Sequence, residues 1–483
     1  MRVLYLAAEA TPLVKIGGLA DVAGSLPGAL RRLKGGPDVR LALPFHRSID
    51  LAKSTLEKVA DLDITARLGT IPAQAYRIPG SNPTIYLIDS PLIPEDGRVY
   101  SEHPGLDGLK YIHFSLAALE LVRRIDWQPD ILHANDWHTA AAVYGLSLRR
   151  PTDLFFNRTA SLITIHNLAY QGNGAGPALE ELGLPIAQDE RLPWWTRDWP
   201  LPLALLTADG VNTVSEGYAA EILTEEFGAG LAGFLAAERG SELVGILNGL
   251  DQPVWDPGTD PALVETFGVD SLLGKKLNKR ALQHEMGLPD APKTPLLGMV
   301  SRLDPQKGID LAIDALRLIP DLEWQAVLLG SGDSNIEAAA HELQSEWPER
   351  FRFVTGYNDP LSRRIYAGSD LFLIPSRYEP CGLTQMIAMR YGSAPVARAV
   401  GGLRDTIQPY PDDPVGTGFL FASANAAALA VALRNALAFY PNWRRWQGIK
   451  RRGMKQNFSW EPSARKYLDL YKKLIARRQA LSN

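Results

Sequence analysis

The sequence predicts an α/β protein built from two doubly wound units. Short apolar runs alternate with helical patterns along all 483 residues, which is typical of parallel strands joined by crossover helices. The chain is too long for one core, because domains usually hold about 50 to 250 residues. Asn-Gly, Gln-Pro and Asp-Pro pairs cluster at residues 248–257 and mark a break. We therefore expect Rossmann-like domains at 1–248 and 249–459, followed by a C-terminal segment at 460–483.

Each half contains its own series of predicted strands. In the first half they lie at residues 3–8, 39–44, 85–88, 131–134, 162–166, 211–214 and 244–247. In the second half they lie at residues 296–300, 326–329, 351–354, 371–374 and 395–397. Residues 460–480 follow a helical pattern. Since ligands of such sheets bind beyond the strand C-termini, we expect a site in a deep cleft between two facing domains.

Composition narrows the class of protein. The net charge of −4 argues against nucleic acid or an anionic membrane as a partner. A single cysteine, Cys381, cannot form an intramolecular disulfide, and the N-terminus reads as a strand, so we expect a cytoplasmic enzyme. No apolar run approaches the roughly 18 residues of a membrane span. His133 and His138 lack a partnering carboxylate cluster and no Cys-x-x-Cys occurs, so we expect no metal site.

The motif KIGGLADV, at residues 15–22, follows the first predicted strand and opens a helical pattern. Gly17 and Gly18 allow a ligand to approach the backbone, and the free N–H groups of a helix start favour an anion. Lys15 adds a mobile charge, while Asp21 can accept hydrogen bonds. The motif matches neither G-x-G-x-x-G nor the P-loop pattern. Tight packing is the alternative explanation for the two glycines.

Two motifs in the second half also follow predicted strands. SRLDPQKG, at residues 301–308, supplies Arg302 and Lys307 beside a helix start, which suits a diphosphate and its charge as it leaves. PSRYEPCGLTQ, at residues 375–385, supplies Glu379 as an acceptor for sugar hydroxyls and backbone N–H groups at 382–384 for phosphate oxygens. A helix-capping role is the alternative for Glu379.

Two further motifs end neighbouring strands of the first half. They are HANDWH at residues 133–138 and IHNLAYQG at residues 165–172. A single His or Asp at a strand end is more often structural than catalytic, but two adjacent strands that deliver such residues together give a better signal.

Together these motifs resemble those of the bacterial glycogen synthase and plant starch synthase family, and the resemblance spans most of the chain. It implies the GT-B arrangement of two domains, with the C-terminal helix crossing back onto the first. It further implies catalytic roles for five residues: His166, Asp136, Glu379, Arg302 and Lys307. The residues implied to hold the nucleotide sugar are Lys15, Gly17, Gly18, Asp21, Asn248, Arg302, Lys307, Tyr357, Glu379, Cys381, Gly382, Leu383 and Thr384. Those implied to meet the acceptor are Glu9, Trp137, Asn167 and Tyr170.

Two features depart from related sequences. Many similar two-domain retaining glycosyltransferases carry a second Glu eight residues after the first, whereas this chain has Ile387, which leaves the contact to the ribose open. A Lys-Ile-Asn-type segment is replaced by Pro-Leu-Pro-Leu at residues 200–203. The neighbouring Trp194, Trp195 and Trp199 suit either stacking on glucan or packing of a lid.

The resemblance implies an enzyme that transfers glucose from ADP-glucose to the non-reducing end of an α-1,4-glucan with retention. Because the paired cations can carry the charge of the leaving group, we expect no metal or other cofactor. UDP-glucose as the donor, another retaining transferase of the same fold, and a catalytically weak glucan-priming or glucan-binding homologue are the alternatives. None of the motif residues that a silent homologue is expected to lose is missing. No lysine is identified for the Schiff base of a phosphorylase.

Overall fold

The computed structural model describes residues 1–49, 51, 56–410 and 415–482. The chain divides into two compact units. The first comprises Met1–Gly249 and the C-terminal segment from Trp460, and the second comprises Leu250–Ser459. Asn483, with which the predicted segment 460–483 ends, lies outside the described residues.

The first unit is built around one sheet with helices on both faces. Its strands are β1 (Arg2–Leu6), β2 (Asp38–Pro44), β3 (Glu57–Ala66), β4 (Gly69–Arg77), β5 (Thr84–Asp89), β6 (Ile131–Asn135), β7 (Ala160–Ile165), β8 (Gly210–Thr213) and β9 (Val244–Gly245). Its helices before the second unit are α1 (Gly18–Arg32), α2 (Pro104–Arg124), α3 (Trp137–Arg149), α4 (Gly176–Glu181), α5 (Pro200–Thr207), α6 (Glu216–Glu221) and α7 (Ala232–Glu238), with a 3-10 turn at Trp194–Thr196.

The described strands of this sheet run in the order β3-β4-β5-β2-β1-β6-β7-β8-β9. From β5 to β9 neighbouring strands are parallel, and the central ones are buried on both faces, as parallel strands between helices must be. The six strands β1, β2, β5, β6, β7 and β8 have the doubly wound order 3-2-1-4-5-6. The direction in which successive strands are added to the sheet therefore reverses between β1 and β6. Ligands of such sheets bind at this reversal.

The sequence analysis missed the antiparallel hairpin of β3 and β4 at the edge of the first sheet. β4 pairs antiparallel with both β3 and β5. Burial alternates along β3, with Leu62, Ile64 and Ala66 inward, because an edge hairpin covers only one face of the sheet. The search for continuous apolar runs could not detect this pattern.

The second unit contains a smaller parallel sheet. Its strands are β10 (Leu296–Val300), β11 (Gln325–Gly330), β12 (Phe351–Thr355), β13 (Leu371–Ile374), β14 (Ala394–Arg398) and β15 (Phe419–Phe421). Its helices are α8 (Leu273–Glu285), α9 (Ile309–Arg317), α10 (Ser334–Glu346), α11 (Asp359–Gly368), α12 (Thr384–Arg390), α13 (Gly401–Thr406), α14 (Ala426–Phe439) and α15 (Trp443–Met454), with a 3-10 turn at Pro305–Lys307. The short edge strand β15 was not predicted.

Within the described residues, this sheet has the order β12-β11-β10-β13-β14-β15, and all its pairs are parallel. That is again the order 3-2-1-4-5-6, with the reversal between β10 and β13. The segments that carry SRLDPQKG and PSRYEPCGLTQ leave the sheet from these two strands. The topology therefore places both motifs where a doubly wound sheet binds its ligand.

Helix α16 (Trp460–Ser482) packs within the first unit. Its Tyr467 and Tyr471 are buried in the core of that unit. The Tyr471 hydroxyl lies 2.7 Å from His133 Nδ1, and the Tyr467 hydroxyl accepts a hydrogen bond of 3.1 Å from Asn212. These buried polar bonds fix the helix against β6 and β8. Among the described residues, no helix combines the length and apolarity that crossing a membrane requires.

Candidate functional site

The end of β1 and the start of α1 are joined by a buried carboxylate. Glu9 accepts hydrogen bonds from the N–H groups of Ile16 at 2.5 Å and Gly17 at 3.0 Å, and from the Tyr100 hydroxyl at 3.0 Å. Burial raises the pKa of Glu9, and the backbone donors oppose that shift. The sequence analysis treated the N–H groups of this turn as free for an anion. Two of them are instead bound to Glu9, which therefore shapes the turn.

The side chains and glycines of this turn face different environments. Lys15 forms an ion pair of 2.8 Å with Asp21, and both side chains are partly exposed. A Cβ added to Gly17 would lie 3.3 Å from Glu9 Oε1, whereas one added to Gly18 would meet no atom of the described residues within 4 Å. Gly18 also begins a regular helix. Tight packing therefore does not explain Gly18, and its open face is compatible with a ligand.

Asp136 organises the turn after β7. Its carboxylate accepts hydrogen bonds from the N–H groups of His166 at 2.7 Å and Asn167 at 3.3 Å. Its own backbone has φ 56° and ψ −175°, which is uncommon for a residue with a side chain. Burial raises the pKa of Asp136 to about 7, although the two N–H donors favour the ionised form. The carboxylate thus holds the backbone that carries His166.

The His166 ring contacts the end of the neighbouring strand β6. Its Nε2 atom lies 2.9 Å from Oδ1 of Asn135, at the end of β6. Burial lowers the pKa of His166 to about 3, so the imidazole is neutral at physiological pH. A neutral imidazole can form hydrogen bonds to a sugar hydroxyl without carrying a charge.

The residues expected at the acceptor differ in exposure. Trp137 is half-buried and packs edge-on against Tyr111, with ring centroids 5.5 Å apart. Asn167 uses its side-chain oxygen within its own turn, where it accepts from the N–H of Ala169 at 3.1 Å. Tyr170 is 54% exposed, so its ring is available to a ligand. Asn248, which was expected at the nucleotide sugar instead, is buried, and its Oδ1 has no hydrogen-bond partner among the described residues.

The tryptophans beside Pro200 divide in the same way. Trp195 and Trp199 pack edge-on with ring centroids 5.1 Å apart, and a Cβ at Gly230 would collide with the Trp195 ring at 2.7 Å. These two rings therefore pack within the unit. Trp194 is 80% exposed and stays compatible with either explanation from the sequence.

In the second unit, an ion pair links the two segments at the sheet reversal. Lys307 Nζ lies 2.8 and 3.0 Å from the carboxylate oxygens of Glu379, which also accepts from the Ser376 hydroxyl at 2.8 Å. Glu379 is buried and does not cap a helix, because the N-cap position of α12 belongs to Leu383. The helix-capping explanation is therefore wrong.

Arg302 and the 3-10 turn complete the loop after β10. Arg302 is 58% exposed and lies 3.2 Å from Asp304, whose side chain accepts from the N–H of Lys307 at 3.1 Å. Gly308 has φ 63°, and a Cβ there would lie 2.2 Å from the carbonyl oxygen of Pro375. The glycine therefore lets this loop pack against the segment that follows β13.

The segment after Glu379 presents its backbone in a defined way. The Gln385 amide donates to the carbonyl oxygens of Cys381 at 3.0 Å and Gly382 at 2.7 Å. Because a trans peptide directs its C=O and N–H to opposite sides, the N–H groups of Gly382 and Leu383 point away from Gln385. Gly382 has φ 72°, so the two residues form the kind of turn that binds anions through backbone N–H groups.

Thr384 and Tyr357 are two further residues that were predicted to contact the nucleotide sugar. The hydroxyl of Thr384 hydrogen-bonds to buried Tyr366. Tyr357 follows β12 and is 74% exposed, and its hydroxyl donates to Asp359 at 3.1 Å. Its ring face is therefore accessible to a flat ligand such as a base. Cys381, which belongs to the segment after Glu379, is buried.

Some residues of the site were missed by the sequence analysis. Asn135 and Ser376 stand inside quoted motifs, and their polar side chains at strand ends were the available signal. Tyr100 lies 91 residues from Glu9 in sequence, so no local pattern connects the two. Among the described residues, no group of three or more His, Cys, Asp or Glu side chains could hold a metal ion.

Comparison with known proteins shows which sequences this chain resembles. The family model for the starch synthase catalytic domain matches residues 2–237, and that for group 1 glycosyl transferases matches residues 286–451. Glycogen synthase 2 of Geobacter sulfurreducens is 41% identical, with 98% of each chain covered. Glycogen synthase of Thioalkalivibrio sulfidiphilus is also 41% identical, with 99% of this chain and 100% of the relative covered.

A solved structure extends the similarity to the fold. It is the catalytic domain of starch synthase IV from Arabidopsis thaliana bound to ADP and acarbose, with 33% identity and a TM-score of 0.87 over 98% of this chain and 99% of that one. The two Rossmann-like domains are those of a GT-B glycosyltransferase. From its sequence and fold, the chain belongs to the family of bacterial glycogen synthases and plant starch synthases.

Proposed function

We propose that this enzyme transfers glucose from ADP-glucose to the non-reducing end of an α-1,4-glucan with retention of configuration. The observation that carries the proposal is the chemistry at the reversal of the second sheet. There Arg302, Lys307 and the outward N–H groups of Gly382 and Leu383 suit a diphosphate. That the related starch synthase IV was solved with ADP and acarbose supports the same assignment.

The carboxylates of the site support a mechanism without a covalent glycosyl-enzyme. Retaining glycosidases use one carboxylate as a nucleophile. Here Glu9 and Asp136 each accept two backbone N–H groups, and Glu379 is paired with Lys307. We propose instead that the leaving phosphate oxygen takes the proton of the attacking acceptor hydroxyl on the same face of the sugar. Arg302, Lys307 and Lys15 then stabilise the released diphosphate.

The two units contribute different groups to this reaction. Lys307 and Arg302 act on the charge of the donor, and Tyr357 suits the adenine face. His166 is the hydrogen-bonding group for the transferred glucose, and Asp136 holds its backbone. Tyr170 and Trp137 are the aromatic residues that we assign to the glucan acceptor. The cations carry the charge that Mg²⁺ carries in many phosphoryl-transfer enzymes, so the proposed reaction needs no metal.

The test is turnover of the purified full-length enzyme with a glycogen primer and either ADP-glucose or UDP-glucose. We expect kcat/KM for ADP-glucose to exceed that for UDP-glucose by about tenfold or more, a difference of about 1.4 kcal/mol. The new linkages should be released completely by an exo-enzyme specific for α-1,4 bonds. Equal or reversed donor preference would refute the ADP-glucose assignment, and products resistant to the exo-enzyme would refute the linkage.

A further inference from the structure

Asn135 is a buried side chain at the reversal of the first sheet, and both its amide nitrogen and its amide oxygen form hydrogen bonds. Its amide nitrogen donates to the carbonyl oxygen of Leu6 at 2.8 Å, and its Oδ1 lies 3.1 Å from the Tyr5 hydroxyl and 2.9 Å from His166 Nε2. The residue thereby joins the ends of β1 and β6 to the residue after β7. Asn135 stands inside the motif HANDWH, but the sequence analysis assigned it no role.

These contacts determine the orientation of the Asn135 amide. A carbonyl oxygen can only accept, so the group that faces Leu6 must be the NH₂. The Oδ1 atom therefore faces both Tyr5 and His166, and it can only accept as well. It follows that Nε2 of His166 carries a proton, since two acceptors would not lie 2.9 Å apart without one.

The other ring nitrogen of His166 is then determined too. A neutral imidazole with its proton on Nε2 has a lone pair on Nδ1. Nδ1 has no partner among the described residues, and it is not among the buried unpaired atoms, which include the Nδ1 atoms of His46, His113 and His138. His166 Nδ1 is thus an accessible acceptor. The low pKa of His166 agrees with a neutral ring.

We propose that Asn135 is a positioning residue that holds His166 in the Nε2–H form, so that Nδ1 accepts a hydrogen bond from a hydroxyl of the transferred glucose. The inference rests on the proposed function for the identity of that sugar. The proposal specifies the direction of this hydrogen bond: the sugar hydroxyl donates and His166 accepts. A donor sugar must therefore supply an O–H at this position.

Four ionisable side chains bear on the charge of His166. Asp136 binds its backbone N–H, His133 lies on the neighbouring strand, and Tyr5 shares the Asn135 oxygen. Glu9 adds to the electrostatic environment of Asp136. Since the carboxylate of Asp136 is held by N–H groups and His133 is neutral through burial, the tautomer of His166 is decided by its direct partner, Asn135.

The tautomer can be measured on the full-length protein without any sugar. Two-bond ¹⁵N–¹H correlation spectra of histidine-labelled enzyme distinguish the two neutral forms and the imidazolium, and His166→Gln identifies the signal. We expect the Nε2–H form from pH 6 to 9. We expect Asn135→Leu to mix the tautomers and Tyr5→Phe, the matched control that keeps the Asn135 contact, to leave the Nε2–H form unchanged. The Nδ1–H form in the wild type would overturn the proposal, as would unaltered spectra in folded Asn135→Leu.

Fluorinated donors test the direction of the hydrogen bond even if Asn135→Leu does not fold. Fluorine accepts weakly and cannot donate, so we compare deoxyfluoro and deoxy analogues of the donor at each sugar hydroxyl. If His166 binds a given sugar hydroxyl, replacing that hydroxyl lowers kcat/KM in the wild type but not in His166→Ala. This comparison identifies the hydroxyl. There we expect the two analogues to lose kcat/KM equally, by about tenfold each. A fluoro analogue that keeps most of the activity would mean that His166 donates. Absence of glucose transfer by the wild type would instead refute the proposed function and leave the tautomer result standing.

Discussion

The two sheet reversals of this protein use their polar groups in different ways. In the first unit, Glu9 and Asp136 each bind two backbone N–H groups, and burial keeps His166 neutral. In the second unit, Lys307 and Glu379 form an ion pair. The N–H groups of Gly382 and Leu383 point away from the side chain that holds their peptides. One doubly wound order thus supports a site of neutral hydrogen bonds and a site of positive charge.

Under the proposed function, the two sites suit two kinds of substrate group. Sugar hydroxyls are neutral and directional, so they suit rigid acceptors and donors. A diphosphate is strongly anionic, so it suits cations and converging N–H groups. The two sites differ because their buried carboxylates have different partners. Backbone N–H groups that donate to a carboxylate are not available to a phosphate.

The largest expected effect follows from removing the cation of the second site. Lys307→Ala should lower kcat/KM by about 10²- to 10³-fold, because a group that meets the leaving charge acts most strongly in the transition state. Part of the loss would come from leaving Glu379 unpaired, so Lys307→Ala/Glu379→Gln separates the two causes. Steady-state kinetics would show this, with Arg434→Ala, which breaks an exposed pair with Asp321, as a control of unchanged activity. Retention of half the wild-type kcat/KM would refute the assignment.

A second effect concerns pH in the first site. Asp136 binds the N–H groups of His166 and Asn167 as a carboxylate, and its pKa is raised to about 7. We therefore expect kcat/KM to fall about tenfold per pH unit below 7. This acid limb should be absent in Asp136→Asn, whose activity should be low at every pH. A limb that persists in the variant would assign it to another group.

The raised pKa of Asp136 also predicts how stability depends on pH: stability should fall, whereas activity should rise, as the pH increases toward 7. An unfolded Asp ionises near pH 3.9, so between about pH 4 and 7 the folded state binds the proton more tightly. The contribution of Asp136 to the free energy of unfolding is therefore present at low pH and is lost as the pH rises through 7. The Tm of the wild type relative to Asp136→Asn should fall over this range.

A smaller effect is expected from the hydroxyl that holds Glu9. Tyr100→Phe removes one hydrogen bond worth about 1 kcal/mol, so KM for the donor should rise about fivefold through looser placement of Lys15 and Gly18. Tyr76→Phe is the matched control, because in the described part of the chain its hydroxyl bonds to Gln74 alone, within the hairpin β3–β4. If both variants behaved alike, Tyr100 would have no part in positioning the turn.

The smallest expected effect is none at all. Prolonged EDTA treatment followed by gel filtration should leave initial rates within about 20% of the untreated enzyme, because Arg302 and Lys307 carry the charge that a metal would neutralise. Activity that is lost and then restored by Mg²⁺ or Mn²⁺ would contradict the metal-free reaction.

Much of the fold was readable from local pattern, and the exceptions have physical causes. The buried parallel strands are continuous apolar runs, so β10 and β13 were placed to the residue. The hairpin β3–β4 alternates instead, because one face is exposed, and it was missed. The helical pattern of α16 was visible, but its packing against β6 depends on Tyr471 and His133, which are 338 residues apart in sequence.

The candidate site divides in the same way. The residues that could meet a ligand stand in short motifs at strand ends, since topology requires polar groups there. Their internal partners could not be read from the motifs. Glu9 was expected at the acceptor, and that role stays a prediction, but its hydrogen bonds to residues 16, 17 and 100 became visible only in three dimensions.

The sequence by itself determined the fold class, the family and the residue types at each strand end. Strand periodicity, chain length and contiguous motifs can be read directly from the order of the residues. Only the tertiary structure decided which polar atoms pair with one another: Lys307 with Glu379, Gln385 with two carbonyl groups, and Asn135 with His166. Pairing depends on distances between atoms far apart in the chain, and a hydrogen bond has a donor and an acceptor. The protonation and orientation of the side chains at the candidate site are therefore set only in the folded protein.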